Sequence, residues 1–179
     1  MASSAGHLET AAALAVALEE AGHEPVLVGG MALVILGSQR VTNDFDFLIS
    51  SPKPLTRRLV NLMYRHGFEL ITKLGPTGEV VRTVDSSRVA AIKIKMEDPR
   101  TLPFFNHRVG LRVDLMQDFP LPAHGLSQNA AKVRLSSGTI RVAAPPDLLK
   151  LKKIAYADRK SAADAQDLEF LRNFIKKSG

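Results

Sequence analysis

The chain has 179 residues, 45% of them apolar and 23% charged, the composition of a folded domain rather than of a disordered, collagenous or coiled-coil chain. It contains no cysteine, which excludes disulfide scaffolds, zinc–cysteine sites and thiol catalysis. A net charge of +6 favours an anionic partner: a nucleotide, a nucleic acid or an acidic surface. No apolar run reaches the roughly 18 residues of a membrane span. The segment Met1-Ala2-Ser3-Ser4 lacks the basic start of a signal peptide, so a cytoplasmic location is expected.

In chain order, Leu8, Ala11, Leu14, Ala15 and Leu18 fall at helical spacing and predict a helix from His7 to Ala21, stopped by Gly22. Pro25 to Val28 is a short buried strand, broken by Gly29-Gly30. Met31 to Leu36 is a short helix ending at Gly37. Asp44 to Ile49 is the next strand, with Ser50, Ser51 and Pro52 as its turn. Leu55 to His66 is an amphipathic helix capped by Gly67. Four strands are predicted after it: Phe68 to Lys73, Glu79 to Val84, Val89 to Met96 and Leu111 to Met116. Alternation within the third would put Lys93 and Lys95 on a solvent face, against Ile92, Ile94 and Met96. Phe104 and Phe105 fall in a Pro-rich loop, as core anchors. Val133 to Leu135 and Thr139 to Val142 form a hairpin around Ser136-Ser137-Gly138. Pro145-Pro146-Asp147 opens a helix to about Ala157, and Ala162 to Lys177 is the last. This order predicts an α/β (α+β) fold with a mixed sheet and helices packed on it. The expected organisation is a core of residues 1–143 and a C-terminal helical segment of 144–179 packed on that core.

The chemistry concentrates in residues 28–49. Asp44 and Asp46 lie two apart in an apolar strand, so both carboxylates point to one face, about 7 Å apart along the chain. Phe45, Phe47 and Ile49 point the other way. Two carboxylates held together repel unless a cation lies between them, and hard oxygen donors suit Mg²⁺ or Mn²⁺. Arg112-Val113-Asp114-Leu115-Met116 is a second apolar strand with an acid in mid-run. If the two strands are neighbours, Asp114 completes a three-carboxylate set able to hold two metal ions about 3.5–4 Å apart for phosphoryl transfer. Asp114 is then placed to accept a proton from an attacking hydroxyl. Gly29-Gly30, between strand and helix, allows backbone N–H groups close to a phosphate. It is not a P-loop, because no Gly-Lys-Ser or Gly-Lys-Thr follows.

Val28-Gly29-Gly30, then Arg40-x-Thr42-x-Asp44-x-Asp46-Phe47, then Asp114 in a later strand, resembles the DNA polymerase β-type nucleotidyltransferase superfamily. Within it the sequence is most similar to minimal nucleotidyltransferases and the abortive-infection (AbiEii-type) toxin group. Arg112 stands where that group carries a Lys two residues before its third Asp. Gly30 stands where Ser is commoner. The resemblance implies a nucleotidyltransferase fold with C-terminal helices closing a cleft. It implies transfer of a nucleoside monophosphate from an NTP, with Mg²⁺ or Mn²⁺ held by Asp44, Asp46 and Asp114. Gly29, Gly30, Arg40, Thr42, Lys150, Lys153 and Arg159 would contact the nucleotide. Lys150 and Lys153 share a helix face and, with Arg159, would neutralise triphosphate charge. Asp164 and Asp167, three apart, would hold Arg159 or Lys160 in place or balance charge. The basic charge favours RNA (a tRNA end) or protein as acceptor, and a toxin setting would add an antitoxin partner.

Two other readings stay open at this stage: a non-catalytic nucleotide- or partner-binding module of the same fold, and a transferase for a small aminoglycoside-like acceptor. An acidic acceptor cleft would favour the latter, a basic one nucleic acid. The five His residues show no metal-ligand spacing, and no Gly-x-Ser-x-Gly elbow is present. With no Trp and two Tyr, a stacking platform for single strands is poorly supplied.

Overall fold

The computed structural model describes residues 4–50 and 57–178. The predicted turn at Ser51-Pro52 and the predicted helix start at Leu55 lie outside them. The first half runs α1 (Ser4–Glu20), β1 (Val26–Val28), α2 (Gly29–Ile35), β2 (Asp44–Ile49), α3 (Arg57–Arg65), β3 (Glu69–Leu74) and β4 (Val80–Val84). There follow α4 (Ser87–Glu97), β5 (Thr101–Asn106), β6 (Leu111–Gln117), α5 (Ala123–Asn129), β7 (Ala131–Leu135), β8 (Gly138–Val142), α6 (Pro145–Arg159) and α7 (Ala162–Ser178). The fold is the expected mixed α/β one.

The strands form one sheet in the order β4-β3-β5-β6-β2-β1-β8-β7. Most neighbours are antiparallel, but β2 pairs with β6 and β1 with β8 in parallel. The parallel β2–β6 pair needs a long crossover, and the chain from α3 to β5 supplies it. Phe45, Phe47, Phe104, Val113 and Leu115 are fully buried, as period-two alternation on the central strands requires. The core extends into α1 through Ala11, Leu14 and Leu18, and into α6 and α7 through Leu148 and Leu171.

Two expectations are corrected. Residues 89–96 are not a strand but lie in α4. The Ser86 hydroxyl accepts from the Val89 N–H at the N-cap, and Asp98 ends the helix in left-handed geometry. Ile92 is 53% exposed and Ile94 only 4%, a split within one predicted face that alternation does not produce and a 3.6-residue period does. Conversely, the stretch expected as a Pro-rich loop contains β5. Its ladder with β3 covers only Phe104 and Phe105, so Pro103 lies outside it, where a missing N–H is tolerated. Phe104 is a core residue, as expected, whereas Phe105 is only partly buried. The short helix α5 has no counterpart in the sequence expectations.

Candidate active site

Two strands that never meet in sequence bring the carboxylates together. In the β2–β6 register Asp46 lies opposite Asp114, and Asp44 opposite Arg112. Paired residues point to the same face, so Asp44, Asp46, Arg112 and Asp114 share the sheet face opposite Phe45, Phe47 and Val113. The adjacency that the sequence alone left conditional is present.

The four groups differ in environment. The Arg112 guanidinium holds both oxygens of Asp114: Nε donates to Oδ1 at 2.9 Å and NH2 to Oδ2 at 2.8 Å. Its NH1 lies 4.0 Å from Asp44 Oδ2. Asp44 is about half exposed, whereas the Arg112 and Asp114 side chains are largely covered. Burial pushes the Asp114 carboxyl above its ordinary value despite Arg112, with the Asp44 charge adding to the rise. Asp46 is moved furthest. Burial, then the charges of Asp114 and Asp44, raise its carboxyl from 3.8 to about 6, while Lys152 and Arg112 oppose the rise only through distant charge. Asp46 is the under-compensated acid of the cluster.

Both glycines before β2 are explained by what sits over them. Gly29 has φ +66°, and a Cβ there would overlap the Asp46 carboxylate. A Cβ on Gly30 would lie 2.8 Å from Arg40 Cζ. The expected phosphate approach is therefore joined by a structural demand, clearance for an acid and for a guanidinium. Gly29→Ala is expected to destabilise the fold by at least about 1–2 kcal/mol, since it adds left-handed strain to the overlap. Gly30→Ala has a smaller cost, because Arg40 is a flexible side chain. Urea melts of both variants check the order.

A second charged network flanks the first. Lys152 of α6 is buried, with Nζ 2.6 Å from Asp167 and 3.4 Å from Asp164 of α7. Arg40, from the segment before β2, donates to Asp167 at 2.5 Å, and Arg159 to Asp164 at 3.2 Å. Burial opposes ionisation of Asp164, but Ser161, Lys152 and Arg159 together hold its carboxyl below the ordinary value. Arg40 thus ties α7 to the segment leading into the carboxylate strand, rather than pairing with Asp44 or Asp46. Of the two alternatives for Asp164, holding Arg159 is the one seen.

The predicted lysines fare differently. Lys150 is exposed and pairs with Asp147 at 3.0 Å. Lys153 is exposed and lines an open groove of about 310 Å³ with Tyr156 and Arg172. The lysine that faces the site is Lys152, which the sequence reading passed over. Its signal was present: Leu148 and Lys152 are one helical turn apart, and Asp164, Asp167, Leu168 and Leu171 form a buried stripe on α7. Two aspartates on a buried stripe require a cation facing them. Thr42 is partly buried, two residues before Asp44.

Among the described residues, no three His, Asp or Glu side chains are gathered so as to hold a metal ion. Asp114, the expected third ligand, is engaged on both oxygens by Arg112. Asp44 and Asp46 remain as hard oxygen donors beside a carboxylate lacking a close cation. They fit one divalent ion bound through two carboxylates.

Beyond Phe105, which is paired with Arg112 on one side and Glu69 on the other, lies a polar cavity of about 450 Å³. Arg65, His66, His107 and Arg108 line it with Glu69 and Asn106. Among the described residues no helix is long and apolar enough to cross a membrane.

No protein-family model matches the sequence, and no curated protein matches it. Among solved structures, the chain is similar to an antigenic nucleotidyltransferase-like protein from Paracoccidioides brasiliensis, with TM-score 0.54 and 16% identity over 95% of this chain and 76% of the other. It also aligns with the lincosamide antibiotic adenylyltransferase LnuA in its lincomycin-bound form, with TM-score 0.49 and 11% identity over 88% of this chain and 90% of that one. At these identities the first comparison speaks to architecture: the chain has a nucleotidyltransferase-like fold.

Proposed function

We propose that this chain is a metal-dependent nucleotidyltransferase that moves a nucleoside monophosphate from an NTP to an acceptor hydroxyl. The observation that carries the reading is the register pairing of Asp46 with Asp114, beside Asp44 on the same face. A protein with no use for these acids would gain stability by losing them, since close, partly buried carboxylates oppose folding.

In this reading Asp44 and Asp46 hold a divalent cation, Mg²⁺ or Mn²⁺, whose chemistry is to neutralise phosphate charge and to acidify a hydroxyl. Gly29 and Gly30 leave the backbone open beside Asp46. Arg40 and Lys152 supply positive charge next to the carboxylates, and Arg159 extends it. The acceptor oxygen attacks the α-phosphorus in line as its proton passes to Asp114. The bond to the bridging oxygen breaks, and pyrophosphate leaves with the electron pair.

The acceptor is RNA (a tRNA end) or protein. The cavity lined by Arg65, His66, His107 and Arg108, on the strands next to β6, supports an anionic acceptor and speaks against a cationic aminoglycoside-like one. A toxin role of the AbiEii kind, with an antitoxin partner, rests on the motif resemblance alone.

The test is incubation with each of four α-³²P-labelled NTPs, Mg²⁺ or Mn²⁺, and total cellular RNA and protein, with an Asp44→Ala/Asp46→Ala variant alongside. Label is expected on one macromolecular fraction and absent with the variant. Nucleotide binding without transfer to RNA, protein or added small molecules would instead favour a non-catalytic module.

A further inference from the structure

We propose that Arg112 is the resident counter-ion of the carboxylate cluster: it occupies Asp114, limits the nucleotide-free protein to one divalent cation at Asp44 and Asp46, and frees Asp114 for a second only when triphosphate draws the guanidinium away. This inference rests on the reading of the site as a nucleotidyltransferase centre and adds a positioning residue to it.

The geometry is specific. Arg112 precedes Asp114 by two residues on one strand, so the pleat places both side chains on the same face. The guanidinium fork meets both carboxylate oxygens, at 2.9 and 2.8 Å, the bidentate arrangement that Arg forms and Lys does not. Its third nitrogen is turned toward Asp44. Asp114 is only 13% exposed and Arg112 20%, so little water screens the pair. A divalent ion on Asp114 would face a fixed positive charge at contact distance. Proton loss cannot remove that charge, because the guanidinium stays protonated throughout the working pH range. The side chain must move.

Charge balance points the same way. Three carboxylates and one guanidinium leave two negative charges, which one divalent ion neutralises. A second ion would leave an excess of positive charge until a triphosphate arrived. Lys152 and Arg40 do not supply the balance for Asp114, because both are bound to Asp167. A planar fork released from a carboxylate suits phosphate oxygens equally well. Binding of nucleotide and of the second cation are therefore linked, so each strengthens the other.

The experiment counts bound Mn²⁺ by the loss of its free electron-paramagnetic-resonance signal, on the full chain, without nucleotide and with α,β-methylene ATP or GTP. Wild-type protein is expected to bind one Mn²⁺ tightly and a second at least tenfold more weakly. Adding the nucleotide analogue is expected to tighten the second. Arg112→Gln is expected to bind two with comparable affinity without nucleotide. Arg112→Lys, which keeps the charge but loses the fork, is expected to fall between, and it carries the test if the Gln variant does not fold. Two equal sites in nucleotide-free wild type, unchanged in both variants, would overturn the proposal while leaving the transferase reading intact. A single site in every variant, with or without nucleotide, would also overturn it. Absence of any Mn²⁺ binding that depends on Asp44 and Asp46 would overturn the metal-dependent reading along with it.

Discussion

Asp46→Asn is expected to make the protein more stable and inactive. The Asp46 carboxyl is raised from 3.8 to about 6, chiefly by burial and then by Asp114 and Asp44. A carboxyl displaced this far costs the fold about 2–3 kcal/mol when ionised. The folded state therefore holds a proton that the unfolded chain releases at lower pH. The penalty is fully present above pH 6 and fades as pH falls through about 6 toward 4. Asn has no charge to desolvate. In metal-free buffer at pH 8 the variant should melt roughly 5–10 °C above wild type. Near pH 4 the difference should shrink toward zero. Nucleotidyl transfer should fall at least about 100-fold, because a charged ligand to the reacting phosphate is gone. Thermal melts at the two pH values, with EDTA, and the labelled-NTP assay read both halves. Equal melting at pH 8 would show that Asp46 carries no penalty.

Lys152→Ala has the opposite sign and a comparable size. It leaves Asp164 and Asp167 buried with only Arg40 and Arg159 for compensation. Removing one partner from a buried charge network costs about 3–5 kcal/mol, and the two remaining arginines place this case near the lower figure. Lys150→Ala breaks only an exposed pair with Asp147 and should cost less than about 1 kcal/mol. Lys153→Ala should stay within about 0.5 kcal/mol of wild type. Urea denaturation of the three variants gives the ranking. A large loss at Lys150 with none at Lys152 would contradict the assignment of the inward lysine. Because α7 reaches the segment before β2 through Asp167 and Arg40, the Lys152 loss should also weaken nucleotide binding.

What was legible in the sequence followed from periodicity and from motif spacing. The alternation Asp44-Phe45-Asp46-Phe47 fixes which face is charged whatever the neighbouring strands are, so β2 and its acids could be read directly. The same held for β6, since Val113 and Leu115 bracket Asp114. That β6 lies beside β2 was not legible, because the crossover between them is long and strand order is a tertiary choice. Residues 89–96 were misread because Ile92, Ile94 and Met96 alternate with lysines, a strand pattern in a segment that forms a helix. Ser86 at the N-cap and Ala90-Ala91 within were the helix signals against it. β5 was hidden by Pro103, which usually argues against a strand. Lys152 was missed because three lysines crowd one stretch of α6, and choosing among them needed the buried stripe of α7. Arg112 was noted as a departure from a motif. That it grips Asp114 is a contact between residues two apart, and the strand's own pleat sets it up.

The most direct test of the central claim is calorimetric titration of nonhydrolysable NTP analogues into wild type and Asp46→Asn, each with and without Mg²⁺. The account predicts binding by wild type that requires Mg²⁺, and loss of that binding in a variant that is folded and melts higher. Binding of equal strength in both proteins, or binding indifferent to Mg²⁺, would contradict the assignment of Asp44, Asp46 and Asp114 as the nucleotide centre.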